Sequence, residues 1–282
     1  MKKLPTLIGV VHLPPLVGAP LAQKVDPVEI LQQAGLRAVT EAKALEKAGF
    51  HAVILENFGD TPFYKDKVPL ETVSSLSVIA AAVRESIKLP VGINVLRNDA
   101  MSALTIASVT GCDFIRVNVL SGVAATDQGW IEGNAAELLR ERERLNSSVK
   151  IFADVCVKHA KMVSTDNVEV AIEEVAGRSL ADAVIITGET TGRSVDMEQL
   201  KLASEVSSRH GVPLFIGSGA QPSTVSQLKK YASGVIVGSS LRKKGIAGEP
   251  LDAKRMKAFV SAFKAKSISV KKKKKKKTKR KS

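Results

Sequence analysis

Eight short aliphatic runs recur along the chain, each bounded by glycine, proline or polar residues. They are TLIGVVHL (6–13), HAVILENF (51–58), LPVGINVL (89–96), DFIRVNVL (113–120), VKIFADVCV (149–157), DAVIITG (182–188), VPLFIGSG (212–219) and SGVIVGS (233–239). Runs of this length and character predict strands of a parallel sheet that is covered on both faces. Between them the apolar spacing changes to that of helices. DPVEILQQAGLRAVTEAKALEKAGF opens with Asp26 placed to cap a helix and Pro27 at its first position. PLETVSSLSVIAAAVRESI, DMEQLKLASEVSSRHG and QPSTVSQLKKYASG follow the same period, and Gly49, Gly111 and Gly211 stand where helices stop before the next strand. Eight strand–helix units in this length predict a (β/α)8 barrel over residues 1–265. A doubly wound open sheet is the alternative, but it rarely needs eight units.

Alternation along each run then assigns faces. In the fourth run Ile115, Val117 and Val119 form the apolar set that meets helices, which turns Phe114, Arg116 and Asn118 inward. The fifth run turns Phe152, Asp154, Cys156 and Lys158 inward. The same reading places Val10 and His12, Ile54 and Glu56, Asn94 and Thr187 inside. Barrel interiors are filled mainly by branched aliphatics, so charges near the C-terminal ends of the strands mark candidate chemistry. Glu56, Asp154, Lys158 and His12 are the candidate catalytic residues, and Asn94, Arg116, Asn118, Asp127 and Thr187 the candidate substrate contacts. Arg116 needs Glu56 or Asp154 as a partner, because an unpaired buried charge is costly. It serves either a ligand or a structural ion network. His12 likewise reads either as a site residue or as a hydrogen-bonded residue at the top of its strand.

The seventh run ends in IGSG and the eighth in VGSSLRKKG. The loops after these two strands bind phosphate in many barrels, where glycine lets backbone N–H groups close on an oxyanion. Gly217, Ser218, Gly219, Gly238, Ser239 and Ser240 are therefore the expected phosphate contacts. Arg242 either assists them or lies solvated on a short helix. Three other loops are long: LPPLVGAPLAQKVD, GDTPFYKDKVPL and SGVAATDQGWIEGNAAEL. Long loops at this end of a barrel carry binding groups or lids. Asp127 reads a ligand, or else the loop packs on itself around Trp130. Phe63, Tyr64 and Lys65 are placed to close over a substrate.

Charge changes this picture at one end only. The net charge is +14, yet the stretch KKKKKKKTKRKS (271–282) carries ten Lys or Arg and no acid, leaving +4 elsewhere. Residues 266–282 read as a disordered lysine-rich tail. The Lys271–Lys281 charges suit nonspecific contact with nucleic acid or an anionic surface, without base stacking, because no aromatic residue interleaves them. Aromatics are 4% of the chain, so the core reads as aliphatic. Two cysteines, Cys112 and Cys156, form no disulfide framework and suit a reducing cytoplasm. The N-terminal apolar run is too short for a signal peptide, and no run has the length of a transmembrane segment. The spacing assigns no metal site and leaves the cofactor unknown, with flavin or a divalent cation open. A homo-oligomer is expected.

The motifs GVVHLPPLVGAP, ILENFGDTPF, GINVLRND, FIRVNVLSG, TDQGWIEG, ADVCVKHA, VIITGETTG and IGSGAQPSTV, in this order, resemble the BtpA/SgcQ family over about residues 4–265. That resemblance implies a barrel of the ribulose-phosphate-binding class, similar to phosphoribosylanthranilate isomerases, in a family named for photosystem I biogenesis. The family-like positions are His12, Glu56, Asn57, Asn94, Asp127, Asp154, Lys158, Thr187 and Ser218. Two functions follow as expectations. One is an enzyme on a phosphorylated sugar or nucleotide-like metabolite with isomerase or lyase chemistry, in which Asp154 or Glu56 is the acid or base and Lys158 stabilises negative charge. The other is a non-catalytic assembly or regulatory factor.

Overall fold

In the computed structural model, residues 4–156, 160–165, 167–187 and 196–265 are described. The strands in chain order are β1 (Leu7–His12), β2 (Ala52–Glu56), β3 (Val91–Asn94), β4 (Phe114–Val117), β5 (Val123–Thr126), β6 (Gly129–Glu132), β7 (Lys150–Cys156), β8 (Ala160–Met162), β9 (Ala183–Ile186), β10 (Leu214–Ile216) and β11 (Gly234–Val237). The helices are α1 (Pro27–Ala48), α2 (Leu70–Ser86), α3 (Ala100–Thr110), α4 (Ala135–Arg144), α5 (Val168–Ile172), α6 (Met197–Arg209), α7 (Val225–Leu228) and α8 (Ala253–Lys264). All eight aliphatic runs become parallel strands of one closed barrel, ordered β1-β2-β3-β4-β7-β9-β10-β11 and back to β1. The fold is therefore the (β/α)8 barrel that the run spacing predicts.

Local chemistry starts and stops the helices where the pattern puts them. The Asp26 carboxylate accepts from the Val28 N–H at 2.8 Å with Pro27 next to it, and Gly49 ends α1 in the left-handed conformation. Asp196 and Asp252 cap α6 and α8 in the same way. One helix is shorter than its pattern: QPSTVSQLKKYASG yields only the single turn of α7.

The barrel axis departs from the aliphatic expectation. Phe114, Phe152 and Phe215 stack across it with ring centroids 4.7 and 5.0 Å apart, sealed by Ile8, Ile54, Ile185 and Ile236. Gly92 makes the stack fit, since a Cβ there would lie 2.3 Å from the Phe114 ring. These rings form a dry floor, and the inward positions above them are polar.

The loop after β4 is also more ordered than a covering loop. Residues 123–132 fold into the β5–β6 hairpin, and β8, from the segment after β7, pairs with β5 to make a three-stranded antiparallel sheet. Its buried anchors are Ala124 and Ile131, packed on Val119. Val119 thus faces this small sheet instead of the helices. Trp130 is 58% exposed and anchors nothing, contrary to the self-packed reading, because alternation in β6 turns Ile131 inward in its place.

Arg242 corrects both earlier readings. It is fully buried, not solvated, and it faces α1 instead of an anion. Its guanidinium donates to both oxygens of Glu41 at 3.2 and 3.0 Å, to the Val10 carbonyl at 2.9 Å and to the Glu249 carbonyl at 2.5 Å. The residue thereby ties the turn after β11 to β1 and α1. Removing Arg242 leaves the buried Glu41 with only the partly exposed Arg37, 3.3 Å away, as a cation partner, whereas removing both buried charges spares that cost. Arg242→Met is expected to lower unfolding stability by about 3 kcal/mol in urea titration. The double variant Arg242→Met/Glu41→Met should regain most of that loss. A single-variant loss within experimental scatter would contradict the role assigned to the pair.

Candidate active site

Above the phenylalanine floor, at the C-terminal ends of the strands, lies a cavity of about 200 Å³. One wall carries the strand-end side chains His12, Glu56, Asn94, Arg116 and Asn118. The rest of the lining comes from Gly217–Gln221 and Gly238–Ser240, with Gly217 beside Arg116 and Gly238 beside His12. The parity reading and the glycine reading therefore converge on a single space.

His12 ends β1 and Glu56 ends β2, and the two residues are direct neighbours in the parallel register. Glu56 Oε1 stands 3.9 Å from His12 Nε2, beyond hydrogen-bonding distance. Its Oε2 accepts from Asn94 Nδ2 at 2.8 Å. His12 Nδ1 accepts from the Gly248 N–H at 3.1 Å, so the ring proton belongs on Nε2, the atom facing Glu56. Burial, with the nearby Arg242 and Arg37 charges, holds His12 well below the ordinary imidazole range. The ring is thus a neutral donor, stacked on Phe58 at 4.4 Å between centroids. A proton acceptor and a proton donor stand side by side with room between them.

Asp154 occupies a different position. Arg116 grips it with two bonds, Nε to Oδ2 at 2.9 Å and Nη2 to Oδ1 at 3.0 Å, and Asn118 Nδ2 adds a third at 3.2 Å. Burial alone would lower the Arg116 pKa, but the Asp154 carboxylate outweighs it and raises the value. This is the partnership that the buried charge of Arg116 demands. It also engages both Asp154 oxygens, leaving Glu56 as the cavity carboxylate without a direct Arg or Lys partner among the described residues.

The backbone wall follows from glycine. At Gly217 a Cβ would lie 2.5 Å from Ile185 Cγ2 and 2.6 Å from Thr187 Cγ2, so only glycine lets this turn close over β9 and Arg116. Beyond it, the N–H groups of Ser218, Gly219 and Ala220 donate to no other group among the described residues. Ser218 Oγ is buried without a partner as well. Ser240 Oγ bonds the Ala220 carbonyl at 3.2 Å, which fastens the two loops together and engages that hydroxyl. A row of unused donors facing a cavity is the requirement for an oxyanion cradle.

The structure brings together His12, Glu56, Asn94, Arg116 and Asn118 with Gly217, Ser218, Gly219, Gly238, Ser239 and Ser240, all of which line the cavity. Asp154 lies outside the lining, level with Asn118 on the neighbouring strand and held by Arg116. Thr187 is buried against Gly217. Asp127 is at the exposed tip of the β5–β6 hairpin, outside the lining, although its charge reaches Arg97. Lys158 and the Cys156 side chain lie outside the described residues. Asn57 is structural: its amide clasps the Leu96 backbone and Asp60. Sequence reasoning missed Arg97, which is only 8% exposed and lines the cavity, and whose pKa burial lowers. Parity cannot find it, because β3 ends at Asn94 and alternation lapses three residues before Arg97. Phe58 also lines the cavity, on the face that alternation from Ile54 and Glu56 gives it, but an aromatic residue there carries no chemical signal of a site. Among the described residues no three His, Cys, Asp or Glu side chains converge as a metal ion requires. No helix among them is long and apolar enough to cross a membrane.

Known proteins place this architecture. The chain is 47% identical over 261 residues to the photosystem I biogenesis protein BtpA of Synechocystis, covering 91% of this chain and 87% of that one. It is 48% identical to an uncharacterized protein of Methanocaldococcus jannaschii, covering 92% and 95%. Among solved structures, N-(5'-phosphoribosyl)anthranilate isomerase of Pyrococcus furiosus superposes with a TM-score of 0.53 at 15% identity, covering 92% and 98%. Thiamine phosphate pyrophosphorylase of the same organism gives 0.52 at 13%, covering 92% and 95%. These last likenesses are of fold alone. The model of the BtpA family matches residues 3–265, and the chain belongs to that family.

Proposed function

We propose that the barrel is an enzyme that binds a phosphorylated small molecule and moves a proton on it, in isomerase or lyase chemistry. The observation that carries this reading is one cavity lined by two complementary sets of groups: the residues Ser218–Ala220, whose backbone donors are unused among the described residues, and the neighbouring pair of Glu56 and neutral His12. The phosphate rests on the backbone wall, which holds the reacting carbons against the strand ends. Glu56 takes a proton from carbon, and His12 Nε2–H donates to the adjacent carbonyl oxygen as negative charge develops there. A neutral imidazole suits that role because it polarises the oxygen without a strongly acidic proton to lose. Asp154 is a positioning residue in this scheme: it holds Arg116 and Asn118 in place. The names of the two archaeal fold neighbours refer to phosphoribosyl and thiamine phosphate compounds, which is consistent with a phosphorylated ligand.

The Synechocystis relative's name supports a second reading, an assembly factor of photosystem biogenesis without catalysis. The two readings separate on Glu56, since an assembly role needs no base. The tail 271–282 is proposed as a nonspecific contact for nucleic acid or an anionic surface, and the protein as a cytoplasmic homo-oligomer.

Two outcomes are expected. In a thermal-shift titration at 150 mM salt, ribose 5-phosphate should stabilise the wild type. Gly219→Asp, which sets a carboxylate in the cradle, should lose that shift while keeping the ligand-free melting temperature within about 3 °C. Equal shifts in both proteins would remove the cradle from the account. In deuterium oxide, proton NMR should show exchange at a carbon beside the carbonyl of a bound ketose or aldose phosphate. Glu56→Gln should slow this exchange about 100-fold or more with binding retained. Exchange unaffected by Glu56→Gln would contradict its role as base.

A further inference from the structure

Two arginines of this barrel pair with buried carboxylates, yet they spend their donors differently. A guanidinium offers five N–H groups in one plane. Arg242 is 0% exposed and gives both Nη groups to protein: Nη1 to Glu41 and the Glu249 carbonyl, Nη2 to Glu41 and the Val10 carbonyl. That is how an arginine with a purely structural task is enclosed. Arg116 is held by one edge only. Its Nε and Nη2 donate to the two Asp154 oxygens, and Nη1 donates to nothing among the described residues.

Nor is Nη1 sealed in. It is not among the fully buried polar atoms that lack a partner, as Arg242 Nε is, and the Arg116 side chain is 11% exposed. Arg116 lines the cavity, whereas the Asp154 side chain is 0% exposed and stays outside the lining. The accessible edge of the guanidinium is therefore the one turned away from the carboxylate. The same guanidinium abuts the loop that carries the unused backbone donors. A Cβ at Gly217 would stand 3.1 Å from Arg116 Nη2, and Ser218 and Gly219 follow directly in the chain. Cation and cradle are adjacent.

We propose that Arg116 is a ligand-binding residue, which gives one edge to Asp154 and the other to an anionic oxygen of the phosphate on the cradle. The inference rests on the phosphate-binding reading above and adds the full positive charge that backbone donors lack. The ion pair then has a second use. Asp154 fixes the plane of the guanidinium, so the free edge is set before the ligand arrives and little side-chain entropy is lost on binding. A charge-assisted bond from that edge selects an oxyanion over a neutral hydroxyl or amide.

The test is isothermal titration of the full chain with inorganic phosphate at about 150 mM salt, on the wild type and three variants. Arg116→Met/Asp154→Leu removes both charges together, which spares the cost of an unpaired one and leaves the net charge of the site unchanged. It should bind phosphate about tenfold or more weakly. Asp154→Asn disturbs the same pair but keeps the cation. It should bind phosphate several-fold more tightly, since the phosphate becomes the cation's partner. Gly219→Asp reports on the cradle alone. Affinity of the double variant within about twofold of the wild type would overturn the inference. So would weakening in Asp154→Asn alongside the double variant, the mark of a merely structural pair. Should the double variant not fold, nitrogen–proton NMR of the wild-type arginine side chains decides. Saturating phosphate should shift the Arg116 Nη signals, and unmoved signals would overturn the inference. A wild type that binds no phosphate removes the inference and the cradle together. Binding that Gly219→Asp abolishes and the double variant keeps removes the inference alone.

Discussion

The buried pairing of Arg116 with Asp154 is the constraint on which the rest of the site depends. It joins β4 to β7 with two charge-assisted bonds at a depth where either charge alone would be prohibitively expensive. Its consequences run outward. Both Asp154 oxygens are engaged, which is why the proposed acid–base role goes to Glu56. Asn118 is oriented by the same carboxylate, to which its Nδ2 donates at 3.2 Å. The guanidinium fills the space beside Gly217, where a side chain would collide, and so supports the turn from which the backbone donors project. One ion pair thereby sets the roles of several neighbours.

A second buried pair performs the corresponding task on the other side of the barrel. Arg242 and Glu41 clamp the turn after β11 to α1 and to the Val10 carbonyl. That turn carries Gly238–Ser240, and Ser240 fastens it to the strand-10 loop through the Ala220 carbonyl. The same arginine lies near enough to His12 to help keep it neutral. Below both pairs, the stack of Phe114, Phe152 and Phe215 closes the barrel axis and keeps the site one-ended. The site's geometry is therefore held by elements that do not touch the ligand cavity's open end, as a preorganised polar site requires.

The barrel was legible because its strands are the aliphatic runs and its helix ends carry their own stop signals. Parity found His12, Glu56, Asn94 and Arg116 for the same reason: alternation is rigid within a strand. It failed where strands end, which is why Arg97 was missed and Val119 was assigned to the wrong layer. Pattern could not foresee that 123–132 would recruit a third strand from beyond β7, because that pairing is a tertiary event. Nor could it rank Asp154 against Glu56. Both are inward carboxylates at strand ends, and only the placement of Arg116 distinguishes them. Arg242 was misread because a lysine-rich neighbourhood, LRKKG, suggests solvent, while its buried partner Glu41 lies 201 positions away.

The most direct measurement of the central claim is residue-resolved amide NMR of the full chain during titration with inorganic phosphate. The expected result is saturable shifts concentrated at Ser218, Gly219, Ala220 and Ser239, with Glu56 and His12 responding as residues that line the same cavity. Shifts confined to the lysine-rich segment 271–282, or spread over surface lysines with the cradle amides unmoved, would contradict it.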